Sequence, residues 1–434
     1  MIELAVPPVR LAAAAALSLA WLGLCLACWR RTQPVKVADG QWTVAYASQT
    51  GMAEVLARQT ADRLGKGCVV VPLSALPVTG LMRDGRFLFV VATAGDGEAP
   101  DQGRLFEQHL AALTSRLSCR YAVLALGDRR YPDYCAFGRR LDEGLASAGA
   151  QRLFPRIEVN AGAAEAIGRW FAQFGGQAEQ AGMPQAEPWI LQRREHLNPG
   201  SPGGGVYRLT LVPANRERPH WVSGDLARIF LPEWDGPRDY SIASVPAEGA
   251  LQLLVRQQRN AAGEPGLASG FLTSELQIGD RLPVCLRPHG PFRLGDNHAR
   301  PLILIGNGVG MAGLLAHLKA RIAAGVSENW LIFGERSPAV DLHCGELLQD
   351  WVDAAQLRLD VAFSRCPQTP AYVQQQVLAG ERVIRAWVKR GAAIYVCGSR
   401  RGMGVAVEAA LTTVLGADGV AMLLASGRYR RDVF

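Results

Sequence analysis

Over the first half of the chain, short apolar runs alternate with stretches whose apolar residues recur at helical spacing. Trp42–Ala47, Cys68–Leu73, Phe87–Thr93 and Tyr121–Leu126 read as strands, with a fifth near Leu153–Val159, and Met52–Leu64 reads as a helix. This alternation predicts an α/β fold, a doubly wound parallel sheet with helices on both faces. Ligands of such sheets sit at the carboxyl ends of the strands, beside the switch point. Glu187 to Gly205 then carries Pro188, Pro199, Pro202 and Gly203-Gly204-Gly205, a composition that reads as a linker. Tyr207–Pro213, Leu226–Leu231, Leu251–Gln257 and Arg281–Arg287 read as antiparallel strands of a small barrel. From Pro301-Leu-Ile-Leu-Ile305 onward the strand–helix alternation returns.

The N-terminal residues form a segment of their own. Leu11 to Trp29 is a 19-residue run without charge, about 28 Å as a helix and close to the ~30 Å hydrocarbon core. Arg30, Arg31 and Lys36 follow it and only Arg10 precedes it. The positive-inside rule then predicts a single-pass anchor in the cell inner membrane, with the C-terminal bulk of the chain in the cytoplasm. A cleaved signal peptide is the rival reading; the run is long for one, and no A-x-A site follows. The expected segments are 1–37 anchor, 40–178 first domain, 179–205 linker, 206–298 barrel and 299–434 second nucleotide domain.

Composition removes several functions. The net charge of +7 is spread over pairs such as Arg129-Arg130 and Arg430-Arg431, with no basic stripe interleaved by aromatics, so nucleic-acid binding is not expected. Nine dispersed cysteines argue against a disulfide framework and for a reducing compartment. Cys25 and Cys28 lack a second pair, and the seven histidines show no ligand spacing, so no protein-bound metal is expected.

The candidate chemistry lies in the loops. Ser48-Gln49-Thr50-Gly51 follows the first strand and enters a helix through Met52 and Ala53; hydroxyls and backbone N–H groups at a helix start suit a phosphate. Thr93-Ala94-Gly95-Asp96-Gly97-Glu98 follows the third strand, and Gly127-Asp128 with Tyr131 and Cys135 follows the fourth. Glycines let backbone approach a flat ring, and Tyr131 offers a stacking face. In the second half, Arg238-Asp239-Tyr240-Ser241 supplies a cation, an aromatic face and a hydroxyl, and Gly266-Leu-Ala268-Ser269 a further turn. Gly306-Asn-Gly308-Val-Gly310 leads from a strand into a helix, the form of a nucleotide-binding turn.

In the first set of loops the chain resembles the flavodoxin-like domain of diflavin reductases, and the Tyr131-x-x-x-Cys135 spacing is most similar to sulfite reductase flavoproteins. The resemblance implies that Ser48, Gln49, Thr50, Gly51, Met52 and Ala53 hold the phosphate of FMN. It implies that Thr93, Ala94, Gly95, Asp96 and Gly97, with Gly127, Asp128, Tyr131 and Cys135, flank the isoalloxazine. Ala94 departs from relatives that carry a second stacking aromatic there. Trp221-Val-Ser-Gly-Asp225 resembles the "pGD" turn of the same reductases. By that likeness Arg238, Tyr240, Ser241, Gly266, Ala268 and Ser269 would bind FAD, and an antiparallel barrel followed by a Rossmann-like domain of ferredoxin–NADP reductase type is expected. Gly306, Gly308, Gly310, Ser364, Arg365, Tyr372, Gln374, Cys397 and Gly398 would bind NADPH. Ser241, Cys397 and Asp432 would surround the point of hydride transfer, and Phe434 would cover the flavin face. Departures are Asn307 and Gly313, where relatives carry proline, and Ala371, where many carry a basic residue.

Only 12 residues separate Asp225 from Arg238, so the helical connecting domain of large diflavin reductases is expected to be absent or vestigial, and the expected linker would set the spacing of the flavins. The whole predicts a membrane-anchored diflavin oxidoreductase passing electrons from NADPH through FAD and FMN to an acceptor protein or membrane redox partner. The alternatives are a reductase of small acceptors, such as ferric chelates or quinones, and a tethered flavoprotein scaffold. From Gln41 to Gly175 there are 15 basic and 13 acidic residues, so no acidic docking face is expected.

Overall fold

Residues 41–434 are described by a computed structural model, except 49–50, 66, 96, 130, 176–185, 216–218, 230–236 and 261. The expected anchor at Leu11–Trp29 and the candidate residues Gln49, Thr50 and Asp96 lie outside the described residues.

The first domain follows its apolar pattern closely. Strands β1 (Trp42–Ala47), β2 (Val69–Pro72), β3 (Arg86–Ala92) and β4 (Arg120–Gly127) pair in parallel in the order β2-β1-β3-β4. The near-continuous burial of β1, β3 and β4 is what a sheet covered on both faces requires. The fifth run is divided: β5 (Gln151–Arg152) and β6 (Ile157–Asn160) each pair separately with β4, and Leu153–Arg156 between them is not strand. Helices α1 (Met52–Leu64), α2 (Asp101–Ala111), α3 (Ala136–Ser147) and α4 (Ala164–Ala172) cover the sheet. One core lies under α2 and α3, around Phe87, Phe89, Phe106 and Phe137; the other lies under α1 and α4, around Leu56, Trp170 and Phe171.

The expected linker is corrected in the second unit. Glu187–His196 is a strand, β7, paired with β8 (Val206–Pro213) and β12 (Arg281–Arg287). Trp189 and Leu191 alternate inward and are fully buried, enough to order the segment despite its charges. The Pro/Gly-rich run is therefore the β7–β8 connection within the barrel. Strands β9 (Leu226–Ile229), β10 (Arg238–Ser241) and β11 (Leu251–Arg256) complete the sheet β10-β9-β12-β7-β8-β11, and a bridge between Ile242 and Leu253 closes it. The short helix α5 (Leu267–Gly270) follows β11.

The last unit is a parallel sheet, β15-β14-β13-β16-β17, made from β13 (Leu302–Asn307), β14 (Asn329–Glu335), β15 (Arg358–Phe363), β16 (Ala393–Gly398) and β17 (Tyr429–Val433). Helix α6 (Met311–Ala323) is apolar on most sides because it lies between this sheet and the barrel. Helices α7 (Gly345–Asp353), α8 (Val373–Ala379), α9 (Glu381–Lys389), α10 (Val405–Leu415) and α11 (Ala417–Ala425) complete the layers. Among the described residues no single helix is long and apolar enough to cross a membrane. The bent pair α10–α11 is apolar because Val407, Leu411, Val414, Val420 and Leu423 fill the core of this domain.

Buried polar residues bolt barrel to sheet. Asp225, 3% exposed, accepts the backbone N–H of His289 at 2.9 Å and the Arg293 guanidinium at 2.5 and 2.7 Å. Asn198 donates to Asp341 at 3.0 Å.

Candidate active site

The flavodoxin-like loops converge at the carboxyl ends of β1, β3 and β4. Ser48 is buried; its Oγ accepts the Ala53 N–H at 3.3 Å, and its own N–H donates to Gln102 Oε1 at 2.9 Å. Ser48 is thus tied from inside to the start of α1, which carries Met52 and Ala53. Gly51 needs its left-handed φ of 84°, and a Cβ there would meet the Pro288 carbonyl oxygen at 2.5 Å. Thr93 Oγ1 is buried without a partner, in the Thr93–Gly97 loop whose Ala94 bridges to Glu98. A buried hydroxyl with no protein partner fits a hydrogen-bonding ligand.

Cys135 pins the third loop. It sits at φ 54° before α3 and donates its thiol to the Ala125 carbonyl at 3.3 Å; burial pushes the thiol up to about 11. A Cβ on Gly127 would lie 2.7 Å from the Cys135 nitrogen, so only glycine admits this approach. Asp128 follows Gly127 at the strand tip, and Tyr131 is 54% exposed, with its ring available for stacking. These residues fit FMN.

Ser241, Cys397 and Asp432, 191 residues apart at the extremes, meet at one point. Ser241 Oγ at the end of β10 donates to Asp432 Oδ2 at 2.8 Å, and the Cys397 thiol at the end of β16 points at the same oxygen, 3.8 Å away. The β16–β17 register sets Cys397 beside Asp432. Cys397 is fully buried; burial and then the Asp432 carboxylate push its thiol well above the ordinary value. It is a neutral packing and hydrogen-bonding group, not a thiolate nucleophile. Gly313 explains one departure: a Cβ there would already touch Cys397 Sγ at 3.4 Å and Phe292 at 3.0 Å.

The turn between β13 and α6 is glycine-built for a structural reason. Cβ atoms on Gly306 or Gly310 would run into the Cys397 carbonyl, and Gly308 is left-handed at φ 59°. Asn307, the other departure, is extended, and its Oδ1 accepts the Ser399 N–H at 2.9 Å, tying the turn to the loop after Gly398. Ser364 and Arg365 hang from β14 through backbone bonds to Glu335 and Arg336 at 2.9 and 2.8 Å. Tyr372, exposed, precedes α8, which opens with Val373 and half-buried Gln374. On the barrel side, Tyr240 is half-buried beside Arg238, whose Nη1 donates to the Pro237 carbonyl at 3.2 Å. Gly266, Ala268 and Ser269 form the α5 turn, with Ser269 Oγ accepting the Gln258 N–H at 3.0 Å.

Some residues carry no local motif and emerge only in three dimensions. Arg256 pairs with Glu335 at 3.1 Å, and His343 Nε2 lies 3.3 Å from the same carboxylate. Burial lowers the Arg336 guanidinium, and repulsion from Arg256 and Arg365 adds to this. Cations crowded against their own repulsion suit an anionic nucleotide.

The larger omission is the domain boundary. Arg431, next to Asp432 on β17, donates through Nε to Asp101 at 3.0 Å and through Nη1 to Glu408 at 2.5 Å. Arg104 on α2 pairs with Glu408 at 2.7 Å, closing a four-membered ion cluster between α2 and α10. Burial alone would pull the Arg431 guanidinium down, and the Asp101 carboxylate more than reverses it. Arg400 Nη2 pairs with Glu98 at 2.9 Å. Direct ion pairing, in place of the expected linker, fixes the domains against each other.

Comparison with known proteins agrees with this geometry. Residues 44–170 match the family model described as Flavodoxin. Across almost the whole chain there is similarity to sulfite reductase [NADPH] flavoprotein alpha-components. That of Bacillus subtilis is 24% identical over 92% of this chain and 90% of its own length. The Vibrio cholerae protein is 24% identical over 93% and 89%, and the Neisseria meningitidis protein 26% over 90% and 89%. The chain is a homologue of the diflavin reductases. The alignment with the Bacillus relative runs over 546 positions, more than the 434 residues of this homologue, so the relative carries long insertions that are missing here. Between β9 and β10, where a connecting domain was expected to be absent, only residues 230–237 intervene.

Proposed function

We propose that this homologue is an NADPH-dependent diflavin oxidoreductase, held at a membrane through residues 1–37 with its catalytic domains on the cytoplasmic side. When bound, FAD accepts a hydride from NADPH, and FMN passes electrons singly to an acceptor protein or membrane redox partner. The observation that carries the reading is the convergence of Ser241, Cys397 and Asp432, delivered by three strands to one carboxylate oxygen.

The protein's own part is orientation and charge. The Ser241 hydroxyl is aligned by Asp432, and Asp432 stays an acceptor beside a thiol that keeps its proton. Arg256, Arg336 and Arg365 supply positive charge on the nucleotide side. Phe434 is anchored by its backbone, its N–H to the Gly398 carbonyl at 3.1 Å, and its exposed ring is free to cover a flavin face. The anchor rests on the uncharged run Leu11–Trp29 and the basic residues after it.

The test is flavin analysis of the detergent-purified protein with an anaerobic NADPH titration. One FMN and one FAD, both bleached, is the expected result. FAD alone would refute the relay, and flavins unmoved by NADPH would refute the reductase. Membrane flotation of the chain with and without residues 1–37 tests the anchor. Exposure of Tyr131 and its neighbours also favours direct reduction of small acceptors such as quinones; turnover that needs no partner protein would support it.

A further inference from the structure

Arg400 belongs to the nucleotide domain but ends in the flavodoxin-like one. Its backbone N–H donates to the Phe434 carbonyl at 2.9 Å, so it starts from the hydride site. Its side chain, 14% exposed, crosses the boundary and pairs through Nη2 with Glu98. Nη1 is buried with no hydrogen-bond partner, and it occupies the space a Cβ on Gly95 would fill. Gly95 lies in the loop read as flanking the isoalloxazine. A buried, half-satisfied guanidinium is costly unless a ligand completes it.

We propose that Arg400 is a charge-setting residue for FMN, supplied across the domain boundary, whose cation stabilises the reduced flavin only while the domains are docked. The proposal rests on the FMN reading of the first domain. In the transfer concerned, two electrons and one proton leave the anionic reduced FAD and arrive on FMN as its anionic reduced form, so no further oxidant or reductant is needed. Reduction places negative charge on the isoalloxazine, and a cation at Gly95 favours that state. Electrons are thus drawn onto FMN in the docked form, and separation of the domains withdraws the cation and leaves FMN a stronger donor. By reciprocity, reduced FMN tightens docking by the same factor.

The test is potentiometry of the full-length, detergent-solubilised protein, following the FMN and FAD bands anaerobically in wild type, R400Q, R400K and E98Q. R400Q is expected to shift the electron partition away from FMN about tenfold, ~30 mV for a two-electron couple. R400K restores most of this, and E98Q shifts the partition the opposite way, because it leaves the Arg400 charge uncompensated. Quantitation of bound flavin in each variant separates the outcomes. A full complement of FMN with an unmoved partition in R400Q, or R400Q and E98Q moving it in the same direction, overturns the proposal alone. Wild-type protein that holds no FMN overturns the reading beneath it as well.

Discussion

Neutralising Asp101 should undo the docking of the two flavin domains while leaving each domain folded. Asp101 lies at the start of α2 and receives the Arg431 guanidinium through both oxygens, Nε standing 3.0 and 3.2 Å away. Arg431 is 11% exposed and Asp101 22%, so the pair is largely desolvated. A charge-assisted bond of this kind is worth about 1.5–3 kcal/mol, against 0–1 for a fully exposed pair. Taking the lower part of that range for the solvent still reaching Asp101, Asp101→Asn should cost roughly 1.5–2 kcal/mol, a 10- to 30-fold shift toward the open form. Glu408 still holds Arg431, so β17 and the neighbouring Asp432 keep their places. Small-angle scattering reads the open fraction, and stopped-flow absorbance reads electron arrival at FMN after FAD is reduced. Between about 0.05 and 0.5 M salt the wild type should open as its surface charges are screened. The variant should begin open and respond less. Scattering and transfer rates matching wild type across that range would refute the assignment of docking to this cluster.

Three further outcomes follow from the site and its surroundings. Asp432→Asn keeps the shape but weakens the acceptor for Ser241 and Cys397, so NADPH-driven FAD bleaching should slow about 10- to 100-fold with KM little changed; a rate within about twofold of wild type would contradict the role given to Asp432. Burial holds His317 down to about 3, so the unfolded chain binds its proton more readily than the folded one. Its contribution is full above pH 6.5 and is lost as pH falls toward 3, about 2 kcal/mol between pH 6.5 and 5; His317→Leu should flatten the stability–pH curve by that amount in denaturant titrations, and an unchanged slope would count against it. Backbone N–H groups at Thr369 and Gln368 lower the partly exposed Cys366 thiol, whereas Cys397 is held protonated; peptide mapping after brief alkylation should find Cys366 modified well before Cys397, and the reverse order would disprove the packing around Ser241, Cys397 and Asp432.

The parallel sheets were legible because strands buried on both faces are continuous apolar runs, and β1 and α1 have the bounds their patterns predicted. The glycine turn after β13 was legible because glycine is forced where Gly306 and Gly310 meet the Cys397 carbonyl. Strand β7 was hidden because only Trp189 and Leu191 signal it, and an irregularity between Leu191 and Arg193 breaks the alternation before the charged Arg193-Arg194-Glu195. The docking cluster was invisible for another reason. Asp101 and Arg431 stand 330 residues apart, and an arginine that will meet an acid across a domain boundary looks locally like any solvated arginine. Arg400 was missed likewise, since its partner space is the absent side chain of Gly95.

Because β7 begins at Glu187 and is built into the barrel, the stretch of chain joining the two domains is shorter than the Pro/Gly-rich run suggests. In the sequence, only residues 176–186 separate the flavodoxin-like domain from the barrel. A segment of that many residues can reach at most about 40 Å. A released domain therefore samples a small volume around its docking face, at an effective concentration in the millimolar range. A soluble acceptor must compete with that internal rebinding for every electron, whereas, under the proposed membrane anchoring, an acceptor in the same membrane plane would share the advantage of confinement.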